Sequence, residues 1–423
     1  MNPNSLWSLR LGFSNKQAEA IEKLGISKFL AASFKTNFDD SIPDFLKDSP
    51  KTQAKFRELR RKNKDLNPEQ KREIQKELQK QEGNTSIEMK SWWIDKMMHD
   101  NYPLREKMTL LLHNHFVSTF QKVKINYWVF EHNQLLREHA FGNFKELTKA
   151  IVKSNAMLRY LDNVDNRKGK INENLSRELL ELFTLGIGNY TEEDVKNGAK
   201  ALAGLGLGDK SGIYRDKLTD DSEIIYLGKK GHFKADDIVE IIFKQKNSPY
   251  LFTRKILQWF VYDNPSEKLV TYYGDYFRKE NFEIKPLLEK IVTEEFDKKT
   301  AGSKIKNPLE YSLQLLSELQ INPRTSRPIV AFLKSQGMDL FNQPNVKGWE
   351  GGKSWLTSQV YLQRNNLADL YCSGRENLNQ KAAASMMSEN SNRPAARKTI
   401  INLDWDKGTN KQIISEEPEF QLI

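Results

Sequence analysis

The sequence predicts a mainly α-helical protein, a multi-helix globular array with a small irregular or β-hairpin lobe near residues 205–235. Apolar residues recur at helical spacing along most of the 423-residue chain. Residues 205–235 differ, because they are rich in Gly and Asp and carry short alternating apolar segments such as Ile224 and Tyr226. Aromatic residues make up 10% of the chain, which favours a packed core over general disorder.

Two short helices are predicted in the N-terminal segment, residues 1–50. Ser14 is placed to cap a stretch in which apolar residues recur at helical spacing, and Gly25 is placed to end it. A second helix is expected over residues 27–34, before a polar loop that contains Pro43.

Residues 51–90 are predicted to form a charged helical insertion or arm. The run 51–82 consists mostly of Lys, Arg, Glu and Gln, with few apolar residues. Pro68 follows Asn67 and is expected to begin a helix there. Because acidic residues alternate with basic ones, an exposed helical insertion is favoured, and an arm that grips a phosphate backbone is the alternative.

Residues 91–373 are predicted to form the main helical domain, which includes the lobe at 205–235. Ser248 is placed to cap one of its helices ahead of Pro249. Residues 374–423 are rich in Asn, Ser, Ala and Lys and are predicted to be a loosely ordered C-terminal tail. The ranges with helical apolar spacing are 91–98, 108–116, 127–138, 144–152, 236–243, 248–262, 284–293, 307–319, 326–335 and 355–371.

Composition and charge restrict the class of protein. The formal net charge is +10, which favours anionic partners but is equally met by a solvated Lys-rich surface. The single cysteine, Cys372, excludes an intrachain disulfide and a zinc site built on several thiolates. Neither a membrane-spanning apolar run nor a signal peptide is recognisable. The sequence therefore predicts a cytoplasmic protein, or a periplasmic or exported one if a signal has been removed.

The pair His113 and His115, in LLLHNHF, is the first candidate for chemistry. Imidazole is a common metal ligand and general base, so both are candidate metal ligands and catalytic residues, with a divalent metal as the implied cofactor. The preceding residues indicate a helix, where positions two apart face nearly opposite sides, and a zinc pair on a helix favours a spacing of four. Metal binding therefore requires the helix to end here, and buried structural histidines are the alternative.

The second candidate lies in YLDNVDNRKGKINENLSRELLELFTLGIGNYTEEDV. Asp162 precedes a Gly turn, and Arg177, Glu178 and Glu181 follow on a predicted helix. Carboxylates beside an arginine can share acid and base roles or hold a metal. A semi-buried salt-bridge network that fixes two helices together is the alternative. The loop at 162–168 lacks the central Gly and the terminal Glu of a calcium-binding EF-hand.

The third candidate is the turn-rich segment FNQPNVKGWEGGKSW, which supplies candidate binding residues. Its Lys347, Trp349 and Trp355 could stack and bind a sugar ring or a base. The alternative is that the two tryptophans seal the loop against the helical core.

Seven motifs along the chain carry a resemblance to a bacterial family. They are LWSLRLGFS, LLLHNHFVST, REHAFGNF, AMLRYLDN, NENLSRELLELFTLGIGNYTEEDV, RKILQWFV and LFNQPNVKGWEGGKSW, in this order. The chain resembles the domain-of-unknown-function 1800 family over most of its length. The resemblance implies export for many members. It also implies a protein partner, a sulfatase-like protein of the domain-of-unknown-function 1501 family.

The chain departs from that family at two places. The family commonly has Trp after Leu-Thr-Gly, whereas this chain reads LAGL, with Leu205. The family also tends to have a His-Asp pair and a later Lys, whereas this chain reads KLTDDSEIIYLG, with Thr219, Asp220 and Ile224. Any chemistry that used that His and Lys would be altered here, which favours a binding role over an enzyme.

Taken together, these patterns favour a helical scaffold or binding protein that acts with a partner, in the handling of envelope material or an anionic polymer. The first alternative is a metal-assisted hydrolase whose site draws on His113, His115, Asp162, Glu178 and Glu181. The second alternative is a nucleic-acid-binding protein that uses the basic 51–82 arm.

Overall fold

The N-terminal helices begin and end at local signals in the sequence. A computed structural model describes residues 1–52, 55, 58, 67–322, 326–372 and 418–423. Gly25 ends the second helix with a φ of 74°, a left-handed conformation that glycine adopts without strain. Ser14 caps a 3₁₀ turn, Asn15–Gln17, that directly precedes this helix, so the predicted cap acts one turn earlier than expected.

Eighteen α-helices lie in the described residues, and together they confirm the mainly α fold. The first nine are α1 Pro3–Leu11, α2 Ala18–Leu24, α3 Ile26–Phe34, α4 Pro68–His99, α5 Leu104–His115, α6 Phe120–Val123, α7 Asn126–Glu138, α8 Phe144–Val152 and α9 Asn155–Tyr160. The others are α10 Asn174–Glu178, α11 Glu192–Ala201, α12 Ala235–Phe243, α13 Tyr250–Phe260, α14 Glu267–Lys279, α15 Ile284–Glu295, α16 Pro308–Glu318, α17 Arg327–Ser335 and α18 Ser358–Cys372.

Helix α4 is the longest described element, with 32 residues and a length of about 48 Å. It begins where the sequence predicts, because Asn67 and Gln70 form a capping box around Pro68. Its first half is largely exposed, and its second half buries Trp93 and Ile94 in the core. The rest of the predicted arm, residues 53, 54, 56, 57 and 59–66, lies outside the described residues, and the division into domains stays a prediction.

The lobe at 205–235 contains two small antiparallel hairpins, as predicted. Strands β1 Leu205–Gly206 and β2 Ile213–Tyr214 form the first hairpin. Strands β3 Ile224–Tyr226 and β4 Lys229–Gly231 form the second. The two residues that join β3 to β4 both have positive φ, 46° and 79°, as a tight hairpin turn matched to strand twist requires.

One continuous apolar core joins the N-terminal helices, α4 and the helices that follow it. The last six residues pack against the same body, because Leu422 pairs with Ile305 as an antiparallel bridge and Ile423 is buried beside α1. Residues 373–417, most of the predicted tail, lie outside the described residues. No described helix has both the length and the apolar character needed to cross a membrane.

Candidate functional site

The helix that carries the predicted acidic residues changes its hydrogen-bonding register halfway along. Helix α10 ends at Glu178, and residues Leu179–Thr184 continue it as a π-helix. The Thr184 hydroxyl donates to the carbonyl of Leu179, 2.5 Å away, which supports the wider turn. The prediction of one regular helix is therefore corrected. Single π turns are rare and occur often at functional sites.

His115 and Lys255 hold the C-terminal end of this π-helix. His115 Nε2 donates to the carbonyl oxygen of Phe183 at 3.0 Å, so the proton of the neutral ring lies on Nε2. Lys255 Nζ donates to His115 Nδ1 at 2.9 Å and to the Leu182 carbonyl at 3.2 Å. Burial lowers the pKa of Lys255 to about 8 and lowers the pKa of His115 well below its usual range.

His113 lies on the opposite side of α5 from His115 and has different surroundings. Its Nε2 accepts a hydrogen bond from the backbone N–H of Phe341 at 3.2 Å, and its ring packs edge-on against Trp93. Burial holds its pKa well below the usual value. The two histidines therefore do not converge, as their spacing on a helix predicts. Within the described ranges, no group of three or more His, Cys, Asp or Glu side chains is placed to hold a metal ion.

Glu178 and Glu181 form a half-buried carboxylate pair on the π-containing helix. Glu181 accepts a hydrogen bond from the Tyr190 hydroxyl at 2.7 Å. The side chain of Glu178 makes no hydrogen bond or salt bridge with any residue that the structure describes. Burial raises the pKa of Glu178, and the charge of Glu181 raises it further, while Arg177 and Lys347 partly offset both effects. A carboxyl group in this state favours protonation or an external hydrogen-bond donor.

Two tyrosines complete the wall around the carboxylates. Burial, together with the charge of Glu178, raises the pKa of Tyr160 to about 12. Burial and the hydrogen bond to Glu181 raise the pKa of Tyr190 to about 12. Both phenols therefore stay protonated at neutral pH and can donate hydrogen bonds. We refer to Tyr160, Glu178, Glu181, Tyr190 and Lys347 as the acid site.

Arg177 and Asp162 serve mainly to connect elements. Arg177 bonds Glu192 at 2.8 Å and Glu173 at 3.1 Å, which ties α10 to the start of α11. Asp162, with a left-handed φ of 56°, pairs with Lys122 at 2.8 Å. Arg177 thus belongs to a salt-bridge network of the kind that the sequence analysis gives as its alternative. Glu178 and Glu181 lie outside this network.

The loop that contains Lys347 is fastened to α5 by the residue between the two histidines. Asn114 Oδ1 accepts from the backbone N–H of Trp349 at 2.7 Å. A Cβ on Gly348 would lie only 2.3 Å from the same oxygen, so only glycine fits at that position. Trp349 and Trp355 are buried, 5% and 7% exposed, so both indoles seal the loop instead of presenting a face to a ligand. Lys347 is exposed, and its charge acts on Glu178.

Comparison with family models gives one match, "Protein of unknown function (DUF1800)", over residues 6–422. The chain belongs to this family. Comparison with curated proteins and with solved structures gives no match.

Five of the motifs that identify this DUF1800 chain meet around the π-helix. LLLHNHFVST supplies His115, AMLRYLDN supplies Tyr160, RKILQWFV supplies Lys255, and LFNQPNVKGWEGGKSW supplies Lys347. The fifth, NENLSRELLELFTLGIGNYTEEDV, supplies the acidic residues and the π-helix itself. Segments more than 200 positions apart in the chain thus build one region of the DUF1800 fold.

The sequence analysis missed Lys255, Tyr160 and Asn114 as site residues. Lys255 lies among apolar residues in RKILQWFV, and a lysine inside an apolar helix face is a detectable signal. Asn114 lies between His113 and His115, which carry the more obvious chemical signal. Tyr160 lies in the motif AMLRYLDN, but nothing in that motif pairs it with Glu178, because only packing brings the two residues together.

Proposed function

We propose that the chain is a helical binding protein that acts with a partner, and that the acid site is its recognition surface. The observation that carries the proposal is the state of Glu178, which is half buried and has no hydrogen-bond partner among the described residues. A carboxylate taken partly out of water without a donor costs folding free energy. A donor from a bound partner would remove that cost, and this makes Glu178 a centre for recognition.

The chemistry of the acid site defines the group that it would accept. Two carboxylates favour an ammonium, a guanidinium or several hydroxyl groups, because each of these supplies N–H or O–H donors. Tyr160 and Tyr190 add donors and apolar ring faces at the rim. The anchored π-helix holds the carboxylates in place before binding, which lowers the entropic cost of recognition.

The class of protein partner is inferred from the family resemblance, and it forms part of the proposal. A sulfatase-like protein of the domain-of-unknown-function 1501 family would offer a basic or hydroxyl-bearing side chain to the acid site. Shared work on envelope material or an anionic polymer fits the net charge of +10 elsewhere on the chain. Such work requires export, and cell fractionation would distinguish it from the cytoplasmic location that the sequence predicts by default.

The test is purification of the tagged full-length chain from its own bacterium, with mass spectrometry of co-purifying proteins. The variants are Glu178→Gln and a matched control, Glu19→Gln, which removes an exposed carboxylate paired with Lys23 on α2. We expect a stoichiometric partner with the wild type and with E19Q, and at least a tenfold loss with E178Q, since a lost charge-assisted hydrogen bond is worth about 1.5–3 kcal/mol. Equal recovery with E178Q, or a clean monomer throughout, would overturn the proposal.

A second candidate is a hydrolase, because a carboxyl group of raised pKa beside a second carboxylate is the arrangement of an acid and base pair. In this reading Glu178 donates a proton and Glu181 activates water. The metal-assisted form would also need Asp162 and the two histidines, His113 and His115, which face opposite sides of α5, and it predicts bound metal by elemental analysis. Hydrolysis that divalent ions neither raise nor restore would exclude that form.

The third candidate, nucleic-acid binding through the 51–82 arm, makes a different prediction. Affinity would fall steeply as salt rises, because Lys and Arg displace counterions from phosphates. A gel-shift experiment with duplex DNA at low salt would remove this candidate if no complex forms.

A further inference from the structure

Lys255, His115 and the Phe183 carbonyl form a connected chain of hydrogen bonds. Lys255 Nζ lies 2.9 Å from His115 Nδ1, which has a free lone pair because the ring proton lies on Nε2. His115 Nε2 in turn donates to the Phe183 carbonyl at 3.0 Å. A nucleophile within hydrogen-bond reach of a base, with the base oriented by a third group, is the arrangement of an activated nucleophile.

Lys255 differs from most of the other buried lysines of the described chain. Lys107 and Lys304 both contact the carboxylate of Glu310, and Lys90 contacts that of Asp339. Within the part of the chain that the structure describes, Lys255 donates to two neutral groups, an imidazole and a carbonyl. Without a carboxylate, burial favours the neutral amine, and a pKa of about 8 leaves about a tenth of the molecules in that form at pH 7.

Access to Lys255 is limited but not closed. Its side chain is partly exposed, whereas His115 behind it is fully buried among Phe116, Phe144 and Phe252. A reactant would therefore have to reach the amine from the surface side, because aromatic rings enclose His115 on the other side. This arrangement suits a small organic carbonyl better than a highly charged phosphate.

We propose that Lys255 and His115 form a nucleophile and base pair that captures a small aldehyde or ketone as a Schiff base. The Lys255 nitrogen attacks the carbonyl carbon, and the C=O π electrons move to the oxygen. His115 Nδ1 takes one proton from the nitrogen and returns it to the alkoxide oxygen, which gives the neutral carbinolamine. The second nitrogen proton then follows the same route to the hydroxyl, so that the C–O bond breaks, water departs and a C=N bond forms. Amine and carbonyl thus give imine and water. This site is separate from Glu178, and the proposal does not depend on the acid site.

The test uses the full-length chain with acetaldehyde and sodium cyanoborohydride at pH 8, and peptide mass spectrometry to follow ethylation of each lysine. Lys268, on the exposed side of α14, is the accessible control. Lys306, whose buried amine donates to the Phe420 carbonyl, is the control without a basic nitrogen beside it among the described residues. We expect Lys255 to react at least about tenfold faster than either control, because burial favours its neutral amine and because a ring nitrogen, which Lys306 lacks as a partner, is placed to accept its proton.

A second measurement isolates the base. His115→Asn is expected to slow ethylation of Lys255 by about threefold to tenfold and to leave Lys268 unchanged. The lowered pKa of His115 makes it a weaker base than an ordinary imidazole, so its contribution falls below the roughly hundredfold of a well-matched general base. Circular dichroism checks that the variant is folded. Lys255 that stays unmodified in the wild type, or reacts no faster than Lys268, overturns the proposal whether or not the variant folds. An unchanged Lys255 rate in folded H115N also overturns it.

Discussion

Glu310 lies between two buried lysines, and its replacement is expected to lower the stability of the fold strongly. It lies in the first turn of α16, and its side chain is 2% exposed. Its carboxylate accepts from Lys107 Nζ at 2.5 Å, from Lys304 Nζ at 2.8 Å and from the backbone N–H of Asn307 at 2.8 Å. Glu310→Gln keeps the shape of the side chain and removes its charge, so two buried ammonium groups lose the one carboxylate that they contact among the described residues.

The magnitude follows from the titration of the pair. Burial alone would raise the pKa of Glu310, but Lys107 and Lys304 overcome it and lower the pKa to about 2 from an ordinary 4.5. That lowering corresponds to about 3 kcal/mol of stabilisation of the charged form. Breaking a buried ion pair by removing one partner costs about 3–5 kcal/mol. We therefore expect E310Q to lower the free energy of unfolding at pH 7 by about 3–5 kcal/mol.

The pH dependence has a definite sign. A carboxyl group with a depressed pKa stabilises the fold fully above pH 4.5, and this stabilisation is lost as pH falls towards 2. Lys107 acts in the opposite sense, because burial outweighs its pairing with Glu310 and lowers its pKa to about 8. Its cost is present below pH 8 and disappears as pH rises towards 10.5. Below pH 7 the change in stability reports Glu310 and not Lys107, because Lys107 stays charged throughout that range.

The assay is urea unfolding followed by circular dichroism, with the wild type, E310Q and the exposed control E19Q at pH 7 and at pH 3. E19Q should change stability by less than about 1 kcal/mol, as exposed ion pairs do. The difference between wild type and E310Q should shrink at pH 3. A loss under about 1 kcal/mol for E310Q at pH 7, or one that does not depend on pH, would refute the reasoning.

Two further predictions concern packing, and urea unfolding tests both. Gly348→Ala should cost at least about 2 kcal/mol more than Gly169→Ala. Both glycines have positive φ, 85° and 78°, but only at Gly348 would a Cβ meet the Asn114 side chain. Equal losses of unfolding free energy for the two variants would contradict the close approach of Gly348 to Asn114. Phe420→Ala should cost about 3–5 kcal/mol, because its buried ring packs edge-on against Tyr311 at 5.5 Å; a loss under about 1 kcal/mol would show that the last residues do not pack as described.

Local signals account for most of the helix ends that the sequence predicts. The start of α4 at Pro68 and the end of α2 at Gly25 depend on residues within one turn of the boundary. The hairpin lobe is predictable for the same reason. Helix α14 is not among the helices that the sequence analysis predicts, although Ser266 caps it and Val270, Tyr273 and Phe277 are buried at helical spacing. The sequence therefore contains a local signal for this helix as well.

The sequence by itself determined the fold class, the family and the segments that carry the acid site. These follow from periodicity, capping residues and motif order, which are short-range properties of the chain. Only the tertiary structure decided that the helix after Glu178 becomes a π-helix and that Lys255 meets His115, 140 positions away. The physical reason is that buried carbonyls and amines must find hydrogen-bond partners, and the identity of those partners depends on which helices pack together.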